Sequence, residues 1–230
     1  GGKIFSKLAR EIMVAARQGG GDPASNITLR SLIQKAKSVN MPAENVERAI
    51  KKGTGELDEG QQFEEVIYEA FGPGGVGIIV QVLTDNRNRS AAEIRHLFSR
   101  HNISLGAQGS VARGFRRRGV IRVPAEQVAE DRLMEIALEA GAEDMQRENG
   151  QYLITTEPAA LSRVADAITA AGIPVEQSEV TLLPDLWVTV SDPAVARELI
   201  RLIEALEDLD DVQNVYTNLD VDDALLGETG

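Results

Sequence analysis

The chain has 230 residues, 43% of them apolar and 26% charged, long enough for two or three units that each bury a core. It has no cysteine, which excludes disulfides, thiolate nucleophiles, zinc ribbons and iron–sulfur clusters and fits a reducing compartment. The formal net charge of −12 argues, taken alone, against a nucleic-acid partner.

The distribution of that charge points the other way. Residues 1–53 carry ten Lys/Arg and four Asp/Glu, and residues 54–84 carry six acids and no base. Residues 85–118 carry eight Arg against Asp85 and Glu93, and the remainder holds six Arg and 24 acids. Such asymmetry suggests a polyanion-facing front and an acidic back, although charge that merely solubilises each domain is the plainer alternative.

In chain order, residues 3–17 read as a helix with Ile4, Phe5, Leu8, Ile12 and Ala15 on one stripe. Lys3, Lys7, Arg10 and Arg17 fall on the opposite side, either as a binding stripe or as an ordinary exposed face. After the break Gly19-Gly20-Gly21-Asp22-Pro23, a second helix sets Leu29, Leu32, Ile33, Ala36 and Val39 at core spacing, with Arg30, Lys35 and Lys37 off that stripe. A third begins at Pro42, faces Val46, Ala49 and Ile50 inward, and carries Lys51 and Lys52 before a stop at Gly53. The acidic stretch Gly53–Gln62 reads as a linker.

The period then shortens. Val66–Phe71 and Val76–Leu83 are strand-like and joined by Gly72-Pro73-Gly74-Gly75. That join matches G-x-G-x-x-G formally, but a β-branched strand follows where a dinucleotide site needs a helix, so a hairpin turn is expected. Ser90 with Glu93 reads as a capping box opening a helix with Ile94, Leu97 and Phe98 inward. Arg87, Arg89, Arg95 and Arg100 lie before or on it. After a glycine-containing loop, Arg113, Arg116, Arg117 and Arg118 surround Phe115, which suits phosphate binding and base stacking. A solvated strand end, or a cover for acids of a neighbouring domain, is the competing reading.

From Gly119 the expected order is strand Val120–Val123, helix Asp131–Ala140, a hairpin of Glu143–Glu148 and Tyr152–Thr155 around Asn149-Gly150, helix Leu161–Ala171 and strand Val175–Leu183. This is β-α-β-β-α-β, a ferredoxin-like pattern. Trp187–Val190, Ala194–Ala205 and Val212–Thr217 complete a sheet begun before it. The expected fold is α+β multidomain: a helical bundle plus linker over residues 1–62, a discontinuous α+β domain over 63–118 and 185–230, and an inserted ferredoxin-like domain over 119–184. The acids Glu204, Glu207, Asp208, Asp210 and Asp211 lack the alternating spacing of a calcium loop and read as a solvated helix end.

His96 and His101 are five apart and off a common helix face, so no histidine metal site is expected. Walker A, G-x-S-x-G and H-E-x-x-H sequences do not occur. No enzymatic activity, cofactor, metal or small-molecule substrate is expected, and a carboxylate-based hydrolase would need a pocket of convergent acids. No apolar run reaches ~18 residues and no signal peptide is apparent, so a cytoplasmic location and no membrane partner are expected.

The blocks Gly2–Ile12 (GKIFSKLAREI), Ala15–Pro23 (AARQGGGDP), Asn40–Gly55 (NMPAENVERAIKKGTG), Tyr68–Gly77, Leu83–Ser90 (LTDNRNRS) and Leu202–Val215 (LIEALEDLDDVQNV) resemble the YebC/PmpR family across essentially the whole chain. The resemblance implies three domains and no enzymatic activity. It implies either transcriptional regulation by DNA binding or association with the ribosome and its rRNA or tRNA, aiding synthesis through stalling stretches. The stretch after Val111 departs from the family pattern by its extra arginines.

Overall fold

The structure is a computed structural model and describes residues 2–57 and 62–221. In chain order it runs α1 Gly2–Gly19, α2 Ile27–Ser38, α3 Ala43–Thr54, β1 Glu64–Phe71, β2 Gly77–Thr84, α4 Arg87–Arg100, β3 Phe115–Pro124, α5 Glu130–Ala140, β4 Asp144–Glu148, β5 Gln151–Thr156, α6 Leu161–Ala170, β6 Gln177–Pro184, β7 Val188–Thr189, α7 Pro193–Glu207, β8 Val212–Thr217 and β9 Leu219–Asp220. Two compact units result, Gly1–Gly114 with Pro184–Gly230, and Phe115–Leu183.

In the first unit α1, α2 and α3 enclose Leu8, Ile12, Leu29, Ala36, Met41 and Ala49. Asn26 caps α2 by accepting from the Leu29 N–H and ties it to α1 by donating to the Ala15 carbonyl. Helix α3 runs through Gly53, where a stop was expected; the left-handed terminator is Gly55, at φ 85°. Gly53 serves packing instead. A Cβ there would lie 2.2 Å from the Met13 carbonyl oxygen, so only glycine lets α3 approach α1 this closely. Of the expected linker, residues 58–61 lie outside the described residues.

The same unit holds a sheet of order β1-β2-β8, antiparallel throughout. Strand periodicity of two sends Val66 and Ala70 of β1, and Ile78, Val80 and Val82 of β2, into a core with Ile94 and Phe98 of α4 and Leu199, Leu202 and Leu206 of α7. The glycine-rich join is the expected tight connection, with Gly74 and Gly75 at positive φ and the Gly72 N–H donating to Val76. Helix α4 begins three residues ahead of the expected Ser90. Asn86 is its N-cap, accepting from the Arg89 N–H, and Ser90 is a buried helical residue. Both residue types cap well, and the tertiary partner of the Ser90 hydroxyl decides between them.

The second unit contains the sheet β4-β5-β3-β6, with α5 and α6 packed on it around Ile121, Leu133, Tyr152, Ile154, Val164 and Ile168. Asn149 and Gly150 both take positive φ, so β4 and β5 meet through the turn that their sequence demands.

Candidate nucleic-acid interface

The basic residues of α1 do not form a free stripe. Lys3 lies 3.7 Å from Asp210, and the Lys7 ammonium donates to the Glu207 carbonyl. Arg10 donates to Asp211 at 2.9 Å and to the Leu83 carbonyl at 3.0 Å, and its guanidinium sits 4.7 Å over the Phe63 ring. Arg17 donates to the Phe63 carbonyl. Three of the four thus face the segment Glu207–Asp211, where α7 ends and its unsatisfied carbonyls and acids attract cations. Of that acidic run, Glu204, Glu207, Asp208 and Asp210 stay exposed at the helix end, as expected, whereas Asp211 is buried and takes the contact from α1.

Asp211 is the hub of this contact and is buried. Arg89 reaches both of its oxygens, at 3.0 Å each, and also pairs with Asp85 at 2.9 Å. The Ser90 hydroxyl donates to Asp211 at 2.7 Å. Burial pushes the Asp211 pKa up, but the bonds from Ser90, Arg10 and Arg89 outweigh it and hold the carboxyl below its ordinary 3.8. Around it, burial and the charge of Lys3 lower the Lys7 pKa, and burial raises that of Glu207. Among the described residues no group of three or more His, Cys, Asp or Glu side chains could hold a metal ion.

A second buried acid organises a loop. Glu69 projects from β1 and accepts from the N–H groups of Gly109, Val111 and Ala112, the latter two at 3.0 and 2.7 Å. Successive backbone N–H groups of this kind form an anion nest, filled here by the chain's own carboxylate. The loop so fixed leads into exposed Arg113, whose Nε donates to the Gly109 carbonyl. Sequence reasoning missed both acids, since neither Asp211 in an acidic run nor Glu69 in a strand carries a local signal of burial.

The remaining candidates divide by unit. Arg87 makes an exposed pair with Glu64 at 3.5 Å. Lys35 and Lys37 on α2, Lys51 on α3, and Arg95 and Arg100 on α4 are exposed and make no ion pair among the described residues. Lys52 is half-buried on α3 beside exposed Arg48. In the second unit Arg116 and Arg117 are exposed on β3. Arg118 bridges Glu143 at 3.4 Å and Glu157 at 3.5 Å, and the hydrogen bond between those carboxyls raises the Glu143 pKa.

Residues 1–56 match the family model described as the TACO1/YebC protein N-terminal domain, and residues 63–219 the one described as the TACO1/YebC second and third domain. A relative from Aquifex aeolicus named probable transcriptional regulatory protein is 49% identical over 229 residues, covering 100% of this chain and 92% of its own. Another of that name from Desulfatibacillum aliphaticivorans is 52% identical, covering 99% and 91%. A crystal structure of a conserved hypothetical protein from Aquifex aeolicus superposes with a TM-score of 0.87 at 50% identity, covering 96% and 90%. With matches to both family models spanning nearly its whole length and relatives at half identity, this chain belongs to the TACO1/YebC family.

Proposed function

We propose that this protein is a non-enzymatic, nucleic-acid-binding regulator of gene expression that acts as a ribosome- and RNA-associated translation factor, assisting synthesis through stalling stretches. One observation carries the nucleic-acid part: Lys35, Lys37, Arg48 and Lys51 stay exposed on the helical bundle without a carboxylate partner among the described residues. Cations left unpaired in a chain of net charge −12 are available to a phosphate backbone, whose neutralisation releases counterions. Among the described residues no helix carries an Arg/Asn/Gln row along one face of the kind that reads base edges in a major groove, which favours recognition of backbone and shape, hence RNA. The domains assigned to this role are residues 1–62 and 63–118 with 185–230 as the nucleic-acid face, and a ferredoxin-like insertion at 119–184 turned to protein or solvent.

The names of the relatives favour a second reading, a DNA-binding transcriptional regulator. Sedimentation separates the two. The translation reading expects the protein in the ribosome pellet at low salt and in the supernatant at high salt; absence from the low-salt pellet rejects it. A gel shift on a specific promoter that survives competitor DNA supports the second.

A further inference from the structure

We propose that Trp187 is a stacking platform for an unstacked base of single-stranded RNA, with Arg113 on the adjoining loop as the phosphate contact, an inference that deepens the nucleic-acid reading above and rests on it. Among the described residues Leu186 and Trp187 are the most exposed large apolar side chains, at 80% and 57%. Strand alternation keeps the ring outside. Val188 packs against the core of the sheet and Val190 is buried in it, so Trp187 and Thr189 face solvent. The backbone that carries the ring is held on both sides: the Asp185 N–H donates to the Gly114 carbonyl and the Val188 N–H to the Asn218 carbonyl, each at 2.8 Å. Strand β9 runs parallel to β7, pairing Val188 with Leu219 and Thr189 with Asp220, so the described chain leaves past Thr189 rather than over Trp187. An outward ring on fixed backbone loses little freedom when a base stacks on it.

The bond to Gly114 brings a cation to the same place. Arg113 immediately precedes Gly114, so its Cα lies within about 18 Å of the Trp187 Cα along the hydrogen-bonded path, a distance that a few nucleotides span. The loop that carries Arg113 is fixed by Glu69 through the N–H groups of Gly109, Val111 and Ala112. It is tied to β7 by a second route. Val111 packs against Gly77, where a Cβ would lie 2.7 Å from its Cγ1, and the Gly77 N–H donates to Oδ1 of the same Asn218 that accepts from Val188. Arg113 is exposed, spends its Nε on the Gly109 carbonyl and makes no ion pair among the described residues. Asp185, the acid nearest in the chain to Trp187, already has a partner of its own. A protruding Leu-Trp pair suits a protein surface as well as a base. The cation on the adjoining loop favours the base, because an aromatic face with a guanidinium close by holds a nucleotide by its ring and its phosphate together. Bases inside a duplex present no open face, so the platform selects single strands.

Trp187 is the only tryptophan, so its emission reports this site alone. The probe is a short single-stranded oligouridine, with an RNA duplex as comparison, titrated against the full chain at several salt concentrations. The single strand is expected to quench the emission in step with binding, and the duplex to leave it unchanged. Anisotropy of fluorescein-labelled oligouridine then reads the variants, all at exposed positions. Trp187→Ala is expected to weaken single-strand binding ~10-fold with the salt slope preserved, Trp187→Phe to keep most of the affinity, and Trp187→Leu to behave as the Ala variant does. Arg113→Gln is expected to make log K against log salt shallower by about 0.7, the slope of one lost phosphate contact. Unchanged emission, with unchanged affinity in Trp187→Ala while the parent binds RNA, overturns the platform and leaves the nucleic-acid reading standing. Affinity kept by Trp187→Leu overturns stacking, and an unchanged salt slope in Arg113→Gln overturns the phosphate contact. Equal quenching by the duplex overturns single-strand selection. If Trp187→Ala leaves the ribosome pellet with its RNA affinity intact, the residue belongs to a protein contact and the platform is overturned. A parent protein that binds no RNA overturns platform and reading together.

Discussion

At the scale of single residues, two buried carboxylates hold the first unit together in different ways. Asp211 joins three elements because Arg10 arrives from α1 and Arg89 and Ser90 from α4. Replacing it by Asn removes the charge but keeps the shape, leaving two guanidinium groups underpaired. The expected loss is about 2–3 kcal/mol, below the ~3–5 of a fully buried pair because solvent screens Arg89, whose side chain is 43% exposed. Urea midpoints at neutral pH measure it. The pH dependence has a fixed sign. The folded pKa is depressed, so the unfolded chain takes the proton first; the stabilisation is complete above about 4 and drains as pH falls through the folded value. Below about pH 4 the parent should therefore lose stability more steeply than Asp211→Asn, and parallel curves would show that Asp211 is not the titrating group. Glu69 makes a local claim instead. Glu69→Gln offers one acceptor oxygen to three N–H groups, so about 1–3 kcal/mol should be lost. Amide exchange should speed up at Gly109, Val111 and Ala112 while the sheet amides of β2 stay protected.

At the scale of elements, what was legible in the sequence is what periodicity encodes. Val212–Thr217 forms a strand with the bounds its alternation indicates, and the Asn149-Gly150 hairpin has the turn its residues require. The α4 boundary was not legible, because Asn86 and Ser90 are both acceptable caps and it is the buried partners of the Ser90 hydroxyl, Asp211 and Thr84, that keep Ser90 inside the helix. Nor was the docking of α1. A helical wheel shows which side Lys3, Lys7 and Arg10 occupy, but it carries no record of the acidic segment that meets them two hundred residues later. Gly53 is a third case, since a glycine following Lys51 and Lys52 looks like a stop and is in fact a contact. Gly→Ala inside a helix ordinarily gains up to ~1 kcal/mol. Here the added carbon would meet the Met13 carbonyl and the Ala16 Cβ, so Gly53→Ala should instead cost about 1–3 kcal/mol. Thermal unfolding followed by circular dichroism reads the sign directly, and a rise in melting temperature would remove the close-approach account.

At the scale of the whole molecule, the second unit leaves and re-enters the first through neighbouring backbone. Gly114 ends one part of the first unit, Pro184 begins the other, and the Asp185 N–H donates to the Gly114 carbonyl at 2.8 Å. Chain ends already within hydrogen-bonding distance can be joined by a short loop at small entropic cost, since closure entropy grows only with the logarithm of length. Each unit also encloses its own apolar cluster. Replacing residues 115–183 by a few glycines and serines should therefore leave a folded remainder, with the β1-β2-β8 core and the Asp211 contacts intact. The excised segment should fold alone around Ile121, Leu133 and Ile154, although its small core predicts only marginal stability. Amide spectra of the shortened protein measured against the parent test this: first-unit resonances that keep their positions support an insertion, and their collapse would mean that the first unit needs the second to fold. Deletion also removes Arg116 and Arg117 without touching Arg48 or Arg17. Retained single-stranded RNA affinity in the shortened chain would locate recognition on the first unit, and lost affinity in a chain that still folds would assign it to the arginines of β3.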